Sequence, residues 1–444
     1  MAGDNTRHCP ALLLAAPASG QGKTTITAGL ARLLSRQGKT VRVFKTGPDY
    51  LDPQILQQAS GRPVLQLDLW MAGESYCRQA LYDAAEDADL ILVEGVMGMF
   101  DGDQSSADMA ARFQLPLAIV MDVAGMAQTA AAVAQGLATY RADVQVAGLI
   151  ANRCSTERHR QLIVDALPTD LPLLAALPSA AEVQLPERHL GLVQAQEMHD
   201  ELEQRLDAAA DWLEQAGILD VLPDIPAVPF LTVPTETVPR LLSGARIAVA
   251  RDVAFSFIYD ANLLTLQNMG AELTFFSPLS DAEVPAADAL WLPGGYPELH
   301  AARLAENQAM QQSMRRFFAA GKPMLAECGG FLYCLDGLTD LEGKRVPMLG
   351  LLSGEGIMRE RGGCQGMQSA PLPEGEIRGH AHHRSLTENT PTALAHGRRQ
   401  RHPAPGEAIY RLGNLTASFL HLFFGSNPQA VARVFTKPTI STDR

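Results

Sequence analysis

Two hydrophobic rhythms alternate along the first half of this chain. Short unbroken apolar runs are separated by stretches in which apolar residues recur every third or fourth place. "ALLLAA" at 11–16 reads as a strand, and "KTTITAGLARLLSRQG" after it sets Ile26, Leu30, Leu33 and Leu34 on one helical face before Gly38 stops it. "VRVFKTG", "DLILVEG", "LPLAIVMDV" and "VQVAGLIANR" then follow, each suited to a strand covered on both faces. Helical patterns lie between them, one around residues 126–139. This alternation predicts a doubly wound parallel sheet with right-handed crossovers.

The rhythm breaks at "DVLPDIPAVPFLTVPTETVPR" (220–240), which carries five prolines. Proline donates nothing to a ladder and interrupts helices, so the stretch predicts an extended linker. The α/β rhythm restarts in "ARIAVARD", "AELTFFSP", "ADALWLPGG" and "KPMLAEC". The expected division is a domain over 1–219, a proline-rich linker over 220–243, a second α/β domain over 244–436 and a tail over 437–444. The basic stretch "HGRRQRHPAP" (396–405) is expected to be a solvated loop.

Composition supports two domains, because 444 residues exceed what one core usually serves. Apolar residues at 47% and charged residues at 19% suit a globular protein. A formal net charge of −13 argues against nucleic acid or an anionic membrane as partner, while leaving room for a local basic pocket. The six cysteines show no CxxC pair or secreted framework, and the first ten residues lack the apolar core of a signal peptide, so reduced thiols in the cytoplasm are expected. The longest apolar region, 115–140, contains Asp122 and reads as strand plus buried helix rather than a membrane span.

"AAPASGQGKTT" (15–25) joins a strand to a helix. The backbone N–H groups of Gly20, Gln21, Gly22 and Lys23 can cradle phosphate oxygens at the positive helix end. Lys23 can reach the outer phosphates, Thr24 can ligate Mg2+, and Thr25 begins the same turn. Pro17 stands where the usual loop has its first glycine. Magnesium needs further oxygen ligands. "KTGPDYLDP" offers Asp49 and Asp52, and "LVEGVMGMFDGD" offers Glu94 and Asp101. Asp52 and Asp101 also suit turns or caps, whereas a lone charge ending a buried strand, as at Glu94, is costly without a task. Lys45, at a strand end, suits a phosphate or a substrate carboxylate, or snorkels. Asn152 suits an adenine edge or a turn.

"KPMLAECGG" reads as a strand ending in a glycine turn that lifts Cys328 to the domain's crevice. The N–H of Gly329 then points toward a developing oxyanion, and the turn "LPGGYPEL" offers Gly295 as a second donor. His421, in "ASFLHLFFGSNP", is the candidate base. Taken singly, such a cysteine is also a small core residue and such a histidine a hydrogen-bonded core group. The 328/334 spacing matches no common zinc pattern, and Cys334 is expected in the core.

The segments "APASGQGKTT", "KTGPDYLDP", "VEGVMGMFDG", "LIANR", "RHLGL" (188–192), "FSPLSD", "LPGGYPEL", "AECGGFLY" and "ASFLHLFFGSNP" occur in order through both halves. Together they resemble the cobyrinic acid a,c-diamide synthase family. The resemblance implies a dethiobiotin-synthetase-like P-loop domain followed by a class I glutamine amidotransferase domain. It implies that Cys328 and His421 release ammonia from glutamine, with Gly295 and Gly329 holding the oxyanion. The first domain would activate carboxylates of a corrinoid with ATP and Mg2+, placing Lys45, Asp52 and Asp101 beside the acyl phosphate. Two departures stand out: Phe423 replaces the glutamate usual two residues after the histidine, and "RGHAHHRS" (378–385) replaces a GHEFHxS pattern while keeping His380 and His383. Alternatives are a sibling amidase, cobyric acid synthase or nickel-sirohydrochlorin a,c-diamide synthase, and, from another class, a ParA-like regulatory ATPase, which leaves Cys328 and His421 unexplained. A homodimer is one assembly consistent with this reading.

Overall fold

The computed structural model describes residues 6–185, 199–233, 238–363 and 365–436. "RHLGL", Cys364 and the tail 437–444 lie outside them. The chain divides between residues 235 and 236 into two compact units.

In the first unit the strands are β1 (Thr6–Ala15), β2 (Val41–Thr46), β3 (Leu65–Leu67), β4 (Leu90–Glu94), β5 (Leu117–Asp122), β6 (Val146–Asn152), β7 (Leu173–Leu177) and β8 (Ala227–Leu231). They pair in the order β3-β2-β4-β1-β5-β6-β7, with every neighbour parallel. β1 is central and its last five residues are buried on both faces, which is why "LLLA" shows no polar alternation. Helix α1 (Lys23–Arg36) buries Ile26, Leu30, Leu33 and Leu34 on one face of the sheet. Each such leucine contributes about 1.5–3 kcal/mol relative to exposure. Helix His199–Gln215 packs Leu202, Leu206, Ala210 and Leu213 into the same layer.

The proline-rich stretch is partly sheet. β8 runs antiparallel to the first half of β1, from Thr6 opposite Leu231 to Pro10 opposite Ala227. Its exposure alternates, with Val228 and Phe230 inward and Ala227, Pro229 and Leu231 outward. An edge position tolerates the missing N–H of Pro229.

The second unit holds β9 (Arg246–Ala250), β10 (Glu272–Phe276), β11 (Ala289–Leu292), β12 (Met324–Glu327), β13 (Gly337–Thr339), β14 (Arg345–Pro347), β15 (Glu355–Met358), β16 (Gln365–Leu372), β17 (Gly375–His382), β18 (Ser385–Glu388), β19 (Ala395–Arg399), β20 (Pro405–Leu412), β21 (Leu415–Ser418) and β22 (Leu420–Leu422). The main sheet has the order β10-β9-β11-β12-β21-β20-β19-β16-β17-β22. It is parallel from β10 to β21 and antiparallel beyond. A second sheet, β14-β13-β15-β18, is formed by shorter strands. The expected loop at 396–405 is instead a hairpin: β19 and β20 flank an exposed tip, with a register shift between His396 and Arg398. Gly397 is buried while Arg398 is exposed and Arg399 half-buried, so the two arginines of β19 point to opposite faces of the ribbon.

Candidate active sites

At the C-terminal ends of the first unit's strands, the loop after β1 turns into α1 through Gly20 (φ 76°) and Gly22 (φ 94°). A side chain at residue 22 would suffer the left-handed backbone and would also overlap Asn152 Nδ2. That amide donates to Gln21 O at 2.9 Å, and Asp122 N–H donates to Gln21 Oε1 at 2.8 Å. The loop is thereby anchored to the ends of β5 and β6. Lys23 Nζ donates to Met97 O at 2.8 Å and Ala18 O at 3.4 Å. Burial, and then the charge of Lys45, lowers its pKa. Its two acceptors are neutral carbonyls, so a phosphate would supply the opposite charge.

Next to the loop, Thr24 Oγ1 donates to Glu94 Oε1 at 2.7 Å. Lys45 Nζ donates to the same oxygen at 2.8 Å and to Asp52 Oδ2 at 2.6 Å, with Asp49 Oδ2 at 3.8 Å. Lys45 is 2% exposed and Glu94 wholly buried. Burial disfavours the Lys45 ammonium, but Glu94, Asp52 and Asp49 outweigh it and raise its pKa. Burial raises Glu94 against the pull of Lys45. For Asp52 burial pulls upward, yet Lys45 prevails and holds the carboxyl below its usual range. Burial and then Asp52 push Asp49 up to about 7. Asp49 also caps helix α2 (Leu51–Ser60), its Oδ1 accepting the N–H groups of Leu51 at 2.9 Å and Asp52 at 3.1 Å. Asp101 is exposed, and its Oδ2 accepts Gly98 N–H at 3.1 Å on the loop that carries Met97.

Thr25, Gly20, Gly22 and Asn152 line a cavity of about 100 Å³ together with Val183 and Trp212. Sequence reasoning missed the last two. Trp212 Nε1 donates to Pro178 O at 3.0 Å, which closes the helix onto the loop after β7. Glu94 Oε2 is buried without a hydrogen-bond partner among the described residues. An orphaned carboxylate oxygen beside a threonine hydroxyl fits a Mg2+ ligand pair. Among the described residues no group of three or more His, Cys, Asp and Glu is set to hold a metal. Magnesium at a phosphate site takes one or two protein oxygens, with phosphate and water supplying the rest.

In the second unit Cys328 sits between β12 and the helix Gly329–Cys334 with φ 44° and ψ −101°. A non-glycine residue there stores about 1–3 kcal/mol of strain. The turn is held by Cys328 N–H to Ser418 O (2.8 Å), Leu332 N–H to Cys328 O (2.9 Å) and Gly330 N–H to Pro293 O (3.0 Å). A Cβ on Gly329 would lie 2.8 Å from Gly295 N, so the two glycine turns abut. A Cβ on Gly294 would overlap the ring of His421. The turn after β11 thus touches both the cysteine's turn and the histidine. Burial, and then Glu298, pushes the Cys328 thiol far up. Burial, and then His380, His383 and His382, pushes His421 well down. Both groups are therefore neutral at rest. Cys334 is fully buried in the core.

Residues 12–193 match the CobQ/CobB/MinD/ParA nucleotide binding domain, and residues 246–429 match the CobB/CobQ-like glutamine amidotransferase domain. A hydrogenobyrinate a,c-diamide synthase of Stutzerimonas stutzeri is 54% identical over 427 residues, spanning 96% of this chain and 98% of the relative. The chain belongs to the cobyrinic acid a,c-diamide synthase family. A relative of the same name from Pseudomonas aeruginosa is 53% identical over 425 residues, 96% of this chain and 97% of its own. A cobyrinate a,c-diamide synthase of Herminiimonas arsenicoxydans is 48% identical over 433 residues, 97% of this chain and 98% of its own.

In this family member the two departures have structural counterparts. Phe423 is wholly buried and meets the Tyr259 ring edge-on at 5.8 Å, so an aromatic packs where a carboxylate is usual. His380 lies opposite His421 in the β17–β22 ladder, and the rings stack at 5.2 Å. Burial, and then His382, pushes His380 down to about 3, so it stays neutral. His383 stacks on Phe419 at 3.9 Å, with Nε2 3.1 Å from Glu407 Oε1.

Proposed function

We propose that the protein is a cytoplasmic ATP- and glutamine-dependent ligase that amidates the a- and c-acetate carboxylates of cobyrinic or hydrogenobyrinic acid. The observation that carries this reading is the strained Cys328 turn packed on the glycine turn that seats His421, in one chain with a phosphate loop. In the second unit the Cys328 sulfur attacks the glutamine side-chain amide while its proton passes to His421. The N–H groups of Gly295 and Gly329 stabilise the oxyanion. His421 then protonates the departing nitrogen, the C–N bond breaks, and ammonia leaves a glutamyl thioester. Water, deprotonated by His421, cleaves the thioester to glutamate and restores the thiol.

Ammonia released in the second unit serves the first. A carboxylate is a poor electrophile at neutral pH. Its oxygen attacks the γ-phosphorus of ATP, ADP departs, and ammonia displaces phosphate from the acyl phosphate. The Gly20–Lys23 backbone orients the phosphates, and Lys45, Asp52 and Asp101 would attend the acyl phosphate. Mg2+, held by Thr24 and Glu94 with Asp49 near, would neutralise phosphate charge when bound. Mass spectrometry of the macrocycle after incubation with ATP, Mg2+ and glutamine tests the proposal. A first and then a second replacement of OH by NH2 is expected; unchanged substrate with both macrocycles would refute it.

A further inference from the structure

Glu327, beside the cysteine, is 2% exposed and ends a strand that is otherwise apolar. Its Oε2 accepts Trp291 Nε1–H at 2.9 Å and its Oε1 accepts Leu422 N–H at 2.8 Å. Leu422 follows His421 directly. Its carbonyl is taken by Asn262 Nδ2 at 2.7 Å, and Asn262 Oδ1 accepts the N–H of Phe424 at 2.7 Å. The peptide groups next to the histidine are therefore gripped by two buried side chains. This grip has a topological cause. β21 pairs with β12 as far as Ser418 opposite Glu327, and the chain then steps away so that β22 pairs with β17. Past Ser418, β12 no longer offers β22 a backbone ladder, and the Glu327 carboxylate bridges the gap.

We propose that Glu327 is a positioning residue of the glutamine site. It fixes the His421 strand relative to the Cys328 turn through Leu422 N–H, while Trp291 fixes the carboxylate from the other side. It supplies by a strand-to-strand bridge the rigidity that a carboxylate at position 423 would supply by direct contact. The inference rests on Cys328 and His421 being nucleophile and base. A second bond acts in parallel, Cys328 N–H to Ser418 O at 2.8 Å, so 327–328 holds 418–422 at two points. Without the Glu327 bond the His421 strand keeps Asn262 and its β17 ladder but loses one of its two ties to the Cys328 turn, and the sulfur-to-imidazole proton transfer loses its geometry.

Glu327→Gln in the full-length enzyme tests this. An amide has one acceptor oxygen, so either Trp291 or Leu422 loses its acceptor. The expected result is a glutamine-dependent kcat about tenfold lower, which is about 1.4 kcal/mol, at nearly unchanged glutamine KM. Ammonia-dependent amidation stays at wild-type level. The pH profile for iodoacetamide alkylation of Cys328 shifts, which simple loss of folded protein would not produce. Trp291→Phe, which leaves Leu422 its acceptor, should cause a smaller change in the same direction. A wild-type alkylation profile with unchanged glutamine kcat in Glu327→Gln overturns the inference while leaving the dyad intact. Glutamine-dependent turnover in Cys328→Ala instead overturns the dyad, and this inference with it.

Discussion

Lys45→Met gives a direct measure of what holds the first unit's site together. The ammonium it removes lies 2.6 Å from Asp52, 2.8 Å from Glu94 and 3.8 Å from Asp49. Methionine keeps most of the volume, so the loss is electrostatic. Breaking a buried pair by deleting one partner costs about 3–5 kcal/mol, since the remaining charges stay buried. Asp49 is partly exposed and contributes the least of the three. In a unit of this size each kcal/mol moves the midpoint by about 2–4 °C, so a loss on the order of 10 °C is expected near pH 8. The deficit must shrink with acid. In the wild type Asp52 has a lowered pKa, so its stabilisation is present above its unfolded pKa and fades as the pH falls. Without Lys45 the three carboxyls rise above their unfolded values; their penalty is complete at high pH and disappears as each takes up a proton. Asp49, at about 7 even beside Lys45, titrates early. Calorimetry of both proteins near pH 8 and near pH 5.5 is the assay, and the gap should close by more than half, in line with about 1.4 kcal/mol for each unit of pKa change. A deficit equal at the two pH values, or one below about 1 kcal/mol at the higher, would refute the view of Lys45 as the cluster's charge balance.

Cys328→Ala should lose glutamine-dependent amidation and keep the ammonia-dependent reaction; loss of both in a folded protein would contradict separate sites. Glu94→Gln should lower ATP-dependent turnover by roughly two orders of magnitude and leave glutamine hydrolysis in place, measured by ADP and glutamate release in parallel. Gly294→Ala places a methyl in the His421 ring, at about 1–3 kcal/mol of overpacking; wild-type glutaminase kinetics there would mean that the ring sits elsewhere. Because burial and the neighbouring histidines keep His421 neutral, the kcat/KM profile for glutamine should show no acid limb at the ordinary histidine pKa of about 6.5. A limb at that pH which vanishes on substitution of His421 would argue against it.

Glu94 and Glu327 show how far local reasoning reaches. Both are acids ending buried strands, where a lone charge is costly, yet only Glu94 stood out in the sequence. The phosphate-loop context turns that mark on Glu94 into a site. For Glu327 nothing nearby in the chain says what the carboxyl group meets, because its partners Trp291 and Leu422 lie 36 and 95 positions away. Asp49 is similar: a residue expected among the metal's oxygens also caps α2, a task visible only once α2 is seen to begin at Leu51. The prolines at 223–239 hide β8, since an edge strand can accept residues that a central strand cannot. The basic run at 396–405 reads as loop because its consecutive polar residues show no alternation, although Arg398 and Arg399 lie within β19.

Periodicity, glycine turns and short motifs depend on residues within a few positions of one another, so the alternating sheets, the loop over α1 and the cysteine's strand-turn setting were determined by the sequence alone. Which strands become neighbours depends on chain reversals and register. Only the tertiary structure decided that Lys45 balances three carboxylates, that Gly294 seats His421, and that β22 leaves β12 for β17. That last step opens the gap which Glu327 bridges, and no local propensity records it, because the energy belongs to a peptide N–H that finds its acceptor only after the sheet has formed.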